Sequence, residues 1–204
     1  MKSKISVVIL LFPIILSIGI FTIPFVSDYA NNLVTEEAAS QTGRWFWGHI
    51  ISGFAFSISI IVAYHIVQYL NSREQKQTGI ISLSLITLGG TLLAIGLGAD
   101  GIGPIATISG GSQASVFFEG SGMMVTGIFI VGITLFGFGL INQIIGLKHT
   151  GLLSKWLSAA LVVCVILFIG ASAIPSSLGL YFIAYLSILI YGSLSFLFWH
   201  SSID

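Results

Sequence analysis

The few ionisable side chains of this sequence are the residues whose types could do chemistry. His49, Asp100 and Glu119 lie near the ends of three apolar segments, and Arg44 precedes the first of them. An imidazole and two carboxylates at one level could bind a divalent cation, relay protons, or act as general acid and base. Alternatively, these groups cap helix ends or pair with Arg44. Their convergence is a hypothesis that rests on predicted depth.

Three further histidines are weaker metal-ligand candidates, namely His65, His149 and His200. Imidazoles that face each other can ligate a haem or a metal ion. His49 and His65 share one predicted helix and lie about 24 Å apart along its axis, so they cannot ligate the same haem. The sequence therefore leaves the cofactor unknown, with metal and haem as the two types that these residues could hold.

Sequence motifs of familiar enzymes are absent. The chain contains no His-Glu-x-x-His, no Gly-x-Ser-x-Gly and no phosphate-binding glycine loop with lysine. The lone cysteine, Cys164, lies in an apolar run, where a thiol packs as a small hydrophobe. These observations favour a protein without catalytic chemistry.

The composition identifies the elements that must position these side chains. Of 204 residues, 55% are hydrophobic and 7% are charged, and the formal net charge is +0. Mean hydropathy is +1.05. Soluble domains carry about 25% charged residues, so the composition excludes a soluble enzyme, a disordered chain and a basic nucleic-acid binder. An integral membrane protein remains.

Six apolar segments are long enough, or nearly so, to cross a bilayer as helices, which need about 20 residues each. They are Ile5–Ser27, Trp45–Leu70, Ile80–Leu97, Met123–Ile145, Trp156–Ile174 and Leu178–Trp199. The apolar runs are continuous and do not alternate, which favours helices over a barrel. The sequence therefore predicts an all-α fold: one polytopic helical bundle over residues 1–204.

The basic residues predict the orientation of this bundle, because cytoplasmic loops are enriched in Lys and Arg. With six spans, six of the seven bases fall on one side: Lys2, Lys4, Arg73, Lys76, Lys148 and Lys155. The other side has most of the acids, with Arg44 as its only base. This alternation predicts that both ends of the chain lie in the cytosol.

Two outer connections have unusual composition. The polar, acidic connection Ala30–Gly43 is expected to start with a short interfacial piece. The connection Gly96–Gly120 is too apolar for a solvated loop and too rich in glycine for a helix. It is interpreted either as a lid or re-entrant segment, or as an interfacial loop on the headgroups. Trp45 and Trp47 open the second span, where they are expected to anchor in the headgroup region.

Glycines recur in and just before the fourth span and are expected to serve helix packing, because small residues let helices approach closely in lipid. They are Gly122, Gly127, Gly132, Gly137 and Gly139. A five-residue interval advances about 500° around a helix, so these glycines spiral and do not form one stripe. The fourth helix is therefore expected to contact several neighbours.

The later part of the sequence resembles a known group of proteins. The stretches that carry the resemblance are Phe136-Gly137-Phe138-Gly139-Leu140, the basic turn and Trp-opened helix at 147–157, the Asp-Gly-x-Gly-Pro stretch from Asp100, and Phe117-Phe118-Glu119. They look like uncharacterised small bacterial and archaeal membrane proteins with six predicted spans, of the domain-of-unknown-function type. The resemblance implies a six-span bundle and brings no activity or functional residue.

Two function classes follow from the sequence. The first is an accessory or structural subunit of a membrane complex, or a permease for a small solute or ion. The alternative is a membrane-embedded metal- or haem-binding enzyme that uses His49, Asp100 and Glu119. The expected location is the cell membrane. Expected partners are the lipid bilayer and other membrane subunits or further copies of the chain, with no nucleic acid.

Overall fold

A computed structural model describes residues 2–200, with side chains from residue 5 onward, and contains only helices and their connections over that range. In chain order the helices are α1 Lys2–Thr22, α2 Asn32–Ser40, α3 Thr42–Ser72, α4 Lys76–Ser109, α5 Ser115–Glu119, α6 Ser121–His149, α7 Lys155–Ala171 and α8 Ser177–His200. The predicted helical bundle is confirmed. The side chains of Lys2 and Lys4, used in the orientation prediction, lie outside the described residues.

Five helices are long and apolar enough to cross a membrane, namely α1, α3, α4, α6 and α8. Helix α7 is apolar but has 17 residues, which corresponds to about 25 Å. Large apolar side chains are exposed on the outer faces of these helices, including Phe54, Leu88 and Phe138. Helices that are apolar on all sides belong in lipid or in a large core.

The six apolar helices pack as a ring in the order α1, α3, α4, α6, α7, α8 and back to α1. Five aromatic side chains meet inside this ring and form what we call the aromatic cluster: Phe12, Phe56, Phe136, Phe168 and Tyr191. Ring centroids of neighbouring members lie 4.7–6.2 Å apart, and all five side chains are buried. The cluster therefore fills the middle of the ring.

The two ends of the ring differ in their residues. One end, here the cap end, has the short helices α2 and α5 and a small core that includes Val26, Ala39, Trp45 and Ala114. The opposite end has the turns between α3 and α4 and between α6 and α7, whose bases are Arg73, Lys76, Lys148 and Lys155. The expected short piece after Ala30 is helix α2.

The Gly96–Gly120 connection differs from the prediction. Helix α4 continues to Ser109, so the predicted third span, Ile80–Leu97, was too short, and the loop and α5 occupy only the remainder. Glycine has low helix propensity, but here close packing overrides it. A Cβ at Gly101 would lie 2.8 Å from the Cβ of His49, and one at Gly96 would lie 3.2 Å from the Phe129 ring.

The glycines of the fourth predicted span have different neighbours. A Cβ at Gly132 would lie 3.0 Å from Leu93, and one at Gly139 would lie 2.6 Å from Ile86, so both positions face α4. A Cβ at Gly137 would collide with Ile169 of α7, and one at Gly122 would approach the backbone of α5. At Gly127, apart from its chain neighbours and the backbone of its own helix, no atom of the described residues lies within 4 Å of that position.

Candidate functional site

The buried polar centre of the molecule joins α3 to α4 at the cap end. His49 is 3% exposed and Asp100 is 20% exposed, and His49 Nε2 lies 3.1 Å from Asp100 Oδ2. The second ring nitrogen, Nδ1, lies 2.7 Å from the backbone oxygen of Trp45. Both nitrogens of His49 therefore have partners within the protein.

These two partners determine how many protons the pair holds. The Trp45 carbonyl can only accept, so Nδ1 carries a proton and donates it. A second proton must then lie between Nε2 and Asp100 Oδ2, because two lone pairs would otherwise face each other. Whether that proton is on nitrogen or oxygen, the pair has no net charge. His49 in this arrangement has no free nitrogen for a metal ion.

Trp45 also compensates for a proline in α4. Pro104 has no N–H, so the backbone oxygen of Asp100, four residues earlier, lacks its usual helical donor. The Trp45 indole Nε1–H donates to this oxygen at 2.7 Å. Trp45 is fully buried, so the prediction that it anchors in the headgroup region is wrong, whereas Trp47 is 57% exposed.

Glu119 and Arg44 do not join the His49–Asp100 pair. Glu119 is exposed and accepts a hydrogen bond from Asn32 Nδ2 at 3.2 Å, which links α5 to α2. Arg44 donates to the backbone oxygen of Thr22 and to Gln41 Oε1. Among residues 2–200, no three His, Cys, Asp or Glu side chains are grouped closely enough to hold a metal ion. The site predicted from depth is thus reduced to its buried pair.

The weaker metal candidates are dispersed. His65 is partly exposed on α3 beside Tyr64, with ring centroids 5.8 Å apart. His149 is exposed at the end of α6. His200 Nδ1 lies 3.0 Å from the backbone oxygen of Phe196 in its own helix.

A cavity of about 350 Å³ lies next to the His49–Asp100 pair. Its walls are mostly apolar and come from α1, α3, α4, α6 and α8, with Leu16, Phe56, Leu93, Ile133 and Ile183 among them. Its polar groups cluster at the cap end, where Tyr29, Asn32, Thr35, His49 and Asp100 line it. Phe56 belongs to the aromatic cluster, so the cavity ends where that cluster begins. Such a space has one polar and one apolar end.

Tyr29 is the polar residue of this cavity that sequence reasoning missed. Its hydroxyl is buried and, within the described residues, has no hydrogen-bond partner. Burial raises the pKa of Tyr29 to about 12, and the charge of Asp100 reinforces this rise. The Ser177 side chain, which lies near the phenol without the geometry of a hydrogen bond, partly offsets it. The hydroxyl is therefore protonated at neutral pH. No sequence signal marks Tyr29, because it lies in a connection far from His49 and Asp100 along the chain.

The connection that carries Tyr29 is held by backbone pairing with the turn before α8. Tyr29 N donates to the Pro175 oxygen at 2.7 Å. Val26 N donates to Ser177 Oγ, and Ser177 N donates to the Val26 oxygen, each at 2.8 Å. These bonds fix the phenol at the edge of the cavity, in the same region as Asp100.

The cavity opens sideways along the first half of α6. Met123 and Ile130 both line it, yet they are 74% and 60% exposed. On the other side, Ser172 lines it and is exposed just after α7 ends. We call this gap between α6 and the α7–α8 turn the side opening.

Comparison of the chain with protein-family models, curated proteins and solved structures finds no match.

Proposed function

We propose that this chain is a multi-pass protein of the cell membrane with six spans and both ends in the cytosol. Helix α7 supports the sixth span, because it closes the ring between α6 and α8. A length of about 25 Å is short for a hydrocarbon core of about 30 Å, and a locally thinned bilayer accommodates such a helix at modest cost. The bases at the end opposite the cap support the orientation.

Within the membrane, the protein binds an amphipathic small molecule in the cap-end cavity. The observation that carries this proposal is the buried, unpartnered hydroxyl of Tyr29 at the polar end of an otherwise apolar space. A buried polar group without a partner costs about 1–3 kcal/mol. A ligand whose polar group bonds to Tyr29 recovers that cost, and its apolar part fits the walls.

Binding explains the geometry better than the roles predicted from the sequence alone. The aromatic cluster closes the ring below the cavity, so a continuous path for a solute or ion is not supported in this conformation. A metal or haem enzyme that uses His49 is disfavoured, because both its ring nitrogens are bonded to protein atoms. The closed ring and the cavity with one polar end are compatible with an accessory subunit that holds a lipid-like molecule.

Trp45 provides the assay, because it lines the cavity. In a variant with Trp47, Trp156 and Trp199 replaced by Phe, Trp45 is the only fluorophore of its kind. This variant, in lipid nanodiscs, is titrated with long-chain amphiphiles that have bromine on the chain, which quenches indole fluorescence at short range. We expect saturable quenching that unbrominated amphiphile reverses by competition.

A matched pair of double variants controls for general effects. Val125→Phe with Ile183→Phe places two rings on the cavity wall, whereas Val131→Phe with Ile188→Phe places them on exposed positions of the same two helices. Quenching should disappear in the first variant and persist in the second. Quenching that never saturates, or that is equal in both, would show partition into the bilayer and contradict the proposed function.

A further inference from the structure

We infer that the polar group of the bound amphiphile is a neutral hydroxyl, so the ligand class is that of long-chain alcohols and acylglycerols with a free hydroxyl. This inference rests on the proposed binding function and specifies the chemistry of the same cavity. It is based on the groups at the polar end of the cavity that can each form a further hydrogen bond. Two of them matter: the Tyr29 hydroxyl and the second carboxyl oxygen of Asp100.

Tyr29 offers a proton. Its hydroxyl is buried without a partner and is protonated at neutral pH, so its O–H donor is satisfied only by a ligand atom that accepts a hydrogen bond. Carboxylates, phosphates, ethers and hydroxyls all satisfy this condition.

Asp100 offers an acceptor. Its Oδ2 faces His49, and the side chain is 20% exposed and lines the cavity. Within the described residues, no hydrogen bond is formed by Oδ1. A ligand atom that meets Oδ1 must donate a proton, which excludes ethers and ionised acids. A hydroxyl can both accept a hydrogen bond and donate one, which matches Tyr29 and Asp100, two residues that line the same cavity.

The charge around the cavity points to the same class. Of the residues that the structure describes, those lining the cavity include no Lys or Arg, and Arg44 is bonded to Thr22 and Gln41. A fatty-acid carboxylate or a phosphate headgroup would therefore be desolvated without a counter-charge, which is costly. A cationic headgroup fits poorly as well, because the His49–Asp100 pair has no net charge.

The side opening explains how a long chain enters and where its end goes. The cavity of about 350 Å³ lies at the small end of the range for ligand sites. The exposed Met123 and Ile130 at its edge are apolar, so an alkyl chain can extend past α6 into the surrounding lipid. Only the hydroxyl and the first part of the chain need to lie inside.

The test compares headgroups on one chain length in the Trp45 quenching assay. The competitors are a long-chain primary alcohol, its methyl ether, the matching carboxylic acid and primary amine, and a diacylglycerol. We expect the alcohol to compete at least about tenfold better than the ether, which corresponds to one lost hydrogen bond. We expect the same minimum advantage over the acid and the amine, whose charges would be buried without a counter-charge. Competition by the diacylglycerol would assign two-chain lipids to the class, and its absence would restrict the class to single chains.

Tyr29→Phe provides the second arm. It should weaken binding of the alcohol about tenfold while the acid and amine change little, as expected for loss of one hydrogen bond. Tyr185→Phe, an exposed tyrosine of α8 that does not line the cavity, is the matched control and should leave binding unchanged.

The outcomes separate the two proposals. If no amphiphile competes, or if the cavity-filling double variant binds like the wild type, the proposed function fails. If binding is saturable and lost in that variant, but the acid or amine binds as well as the alcohol or Tyr29→Phe has no effect, then only the hydroxyl inference is overturned.

Discussion

The imidazole of His49 is held at both nitrogens, by the Asp100 carboxyl group and by the Trp45 carbonyl. This double contact makes the pair a structural connection between α3 and α4 as well as one end of the cavity. A buried imidazole that loses one partner must keep an unsatisfied nitrogen away from water, which is more costly than losing an exposed ion pair.

Substitution of Asp100 tests the proton count of the pair. Asp100→Ala leaves His49 Nε2 without a partner, and we expect a loss of about 1–3 kcal/mol in the free energy of unfolding. Asp100→Asn should cost less, because the amide N–H can donate to Nε2 of the neutral ring. Unfolding in mild detergent measures both. Glu119→Ala, on an exposed acid, is the control and should change stability little; an equal loss in all three would contradict the arrangement.

Trp45 and Pro104 form a second testable pair. Trp45→Phe removes the N–H that serves the Asp100 carbonyl, and we expect a loss of about 1–3 kcal/mol. Pro104→Ala supplies a backbone N–H four residues after Asp100, which can replace the indole donor. The cost of Trp45→Phe should therefore be smaller in the Pro104→Ala background. A double-mutant cycle of unfolding measurements checks this, and strict additivity would refute the compensation.

The contacts between helices depend on where glycine permits close approach. Helix α4 crosses α6 at Gly89, where a Cβ would collide with the backbone nitrogen of Phe136 and would lie 2.6 Å from the Gly132 oxygen. Backbone atoms cannot move aside as a flexible side chain can. The separation between these two helices, and with it one wall of the cavity, therefore depends on the missing side chain.

Two alanine substitutions distinguish packing glycines from the others. Gly89→Ala should push α4 and α6 apart and lower the melting temperature strongly, with a loss of at least about 2 kcal/mol. Gly127→Ala meets no atom within 4 Å and should be neutral, or stabilising by about 0.5–1 kcal/mol, since alanine is the better helix former. Thermal unfolding in detergent compares them. Similar effects at both positions would contradict the close crossing.

The whole molecule separates its charges between two ends. The cap end has the acids Asp28, Glu36, Glu37 and Glu119, and the opposite end has the bases Arg73, Lys76, Lys148 and Lys155. The exceptions are Arg44 at the cap end and Glu74 at the opposite end. If the bundle crosses the membrane six times, the basic end faces the cytosol. The cavity and its side opening then lie in the outer half of the bilayer, so an amphiphile would enter from the outer leaflet.

Single-cysteine labelling in whole cells tests this orientation. In a Cys164→Ser background, Ser112→Cys probes the loop at the cap end and Gln77→Cys probes the exposed start of α4. A membrane-impermeant maleimide should label the first position in intact cells and the second only after lysis. Labelling of Gln77→Cys in intact cells would reverse the orientation, and with it the leaflet from which a ligand enters.

The amino-acid sequence alone determined the class of the molecule and the positions of most of its helices. Charge-poor, apolar runs form helices in lipid because each helix satisfies its own backbone hydrogen bonds, and that information is local. The helix ends at Thr22 and Ala171 are earlier than predicted and precede Pro24 and Pro175. Proline disfavours the helical conformation in the residue before it, and it lacks the N–H that would bond the carbonyl four residues earlier.

Packing between distant segments decided the rest. Predicted depth placed His49, Asp100 and Glu119 at one level in the membrane. The close crossing of α3 and α4 at Gly101 brings His49 to Asp100 and does not involve Glu119. Contacts between segments remote in the chain bury Trp45, allow α4 to continue through its glycines and place Tyr29 in the same region as Asp100. A cavity forms where neighbouring helices diverge. The sequence pattern of one helix gives no information on the distance to its neighbour, so the cavity could not be predicted.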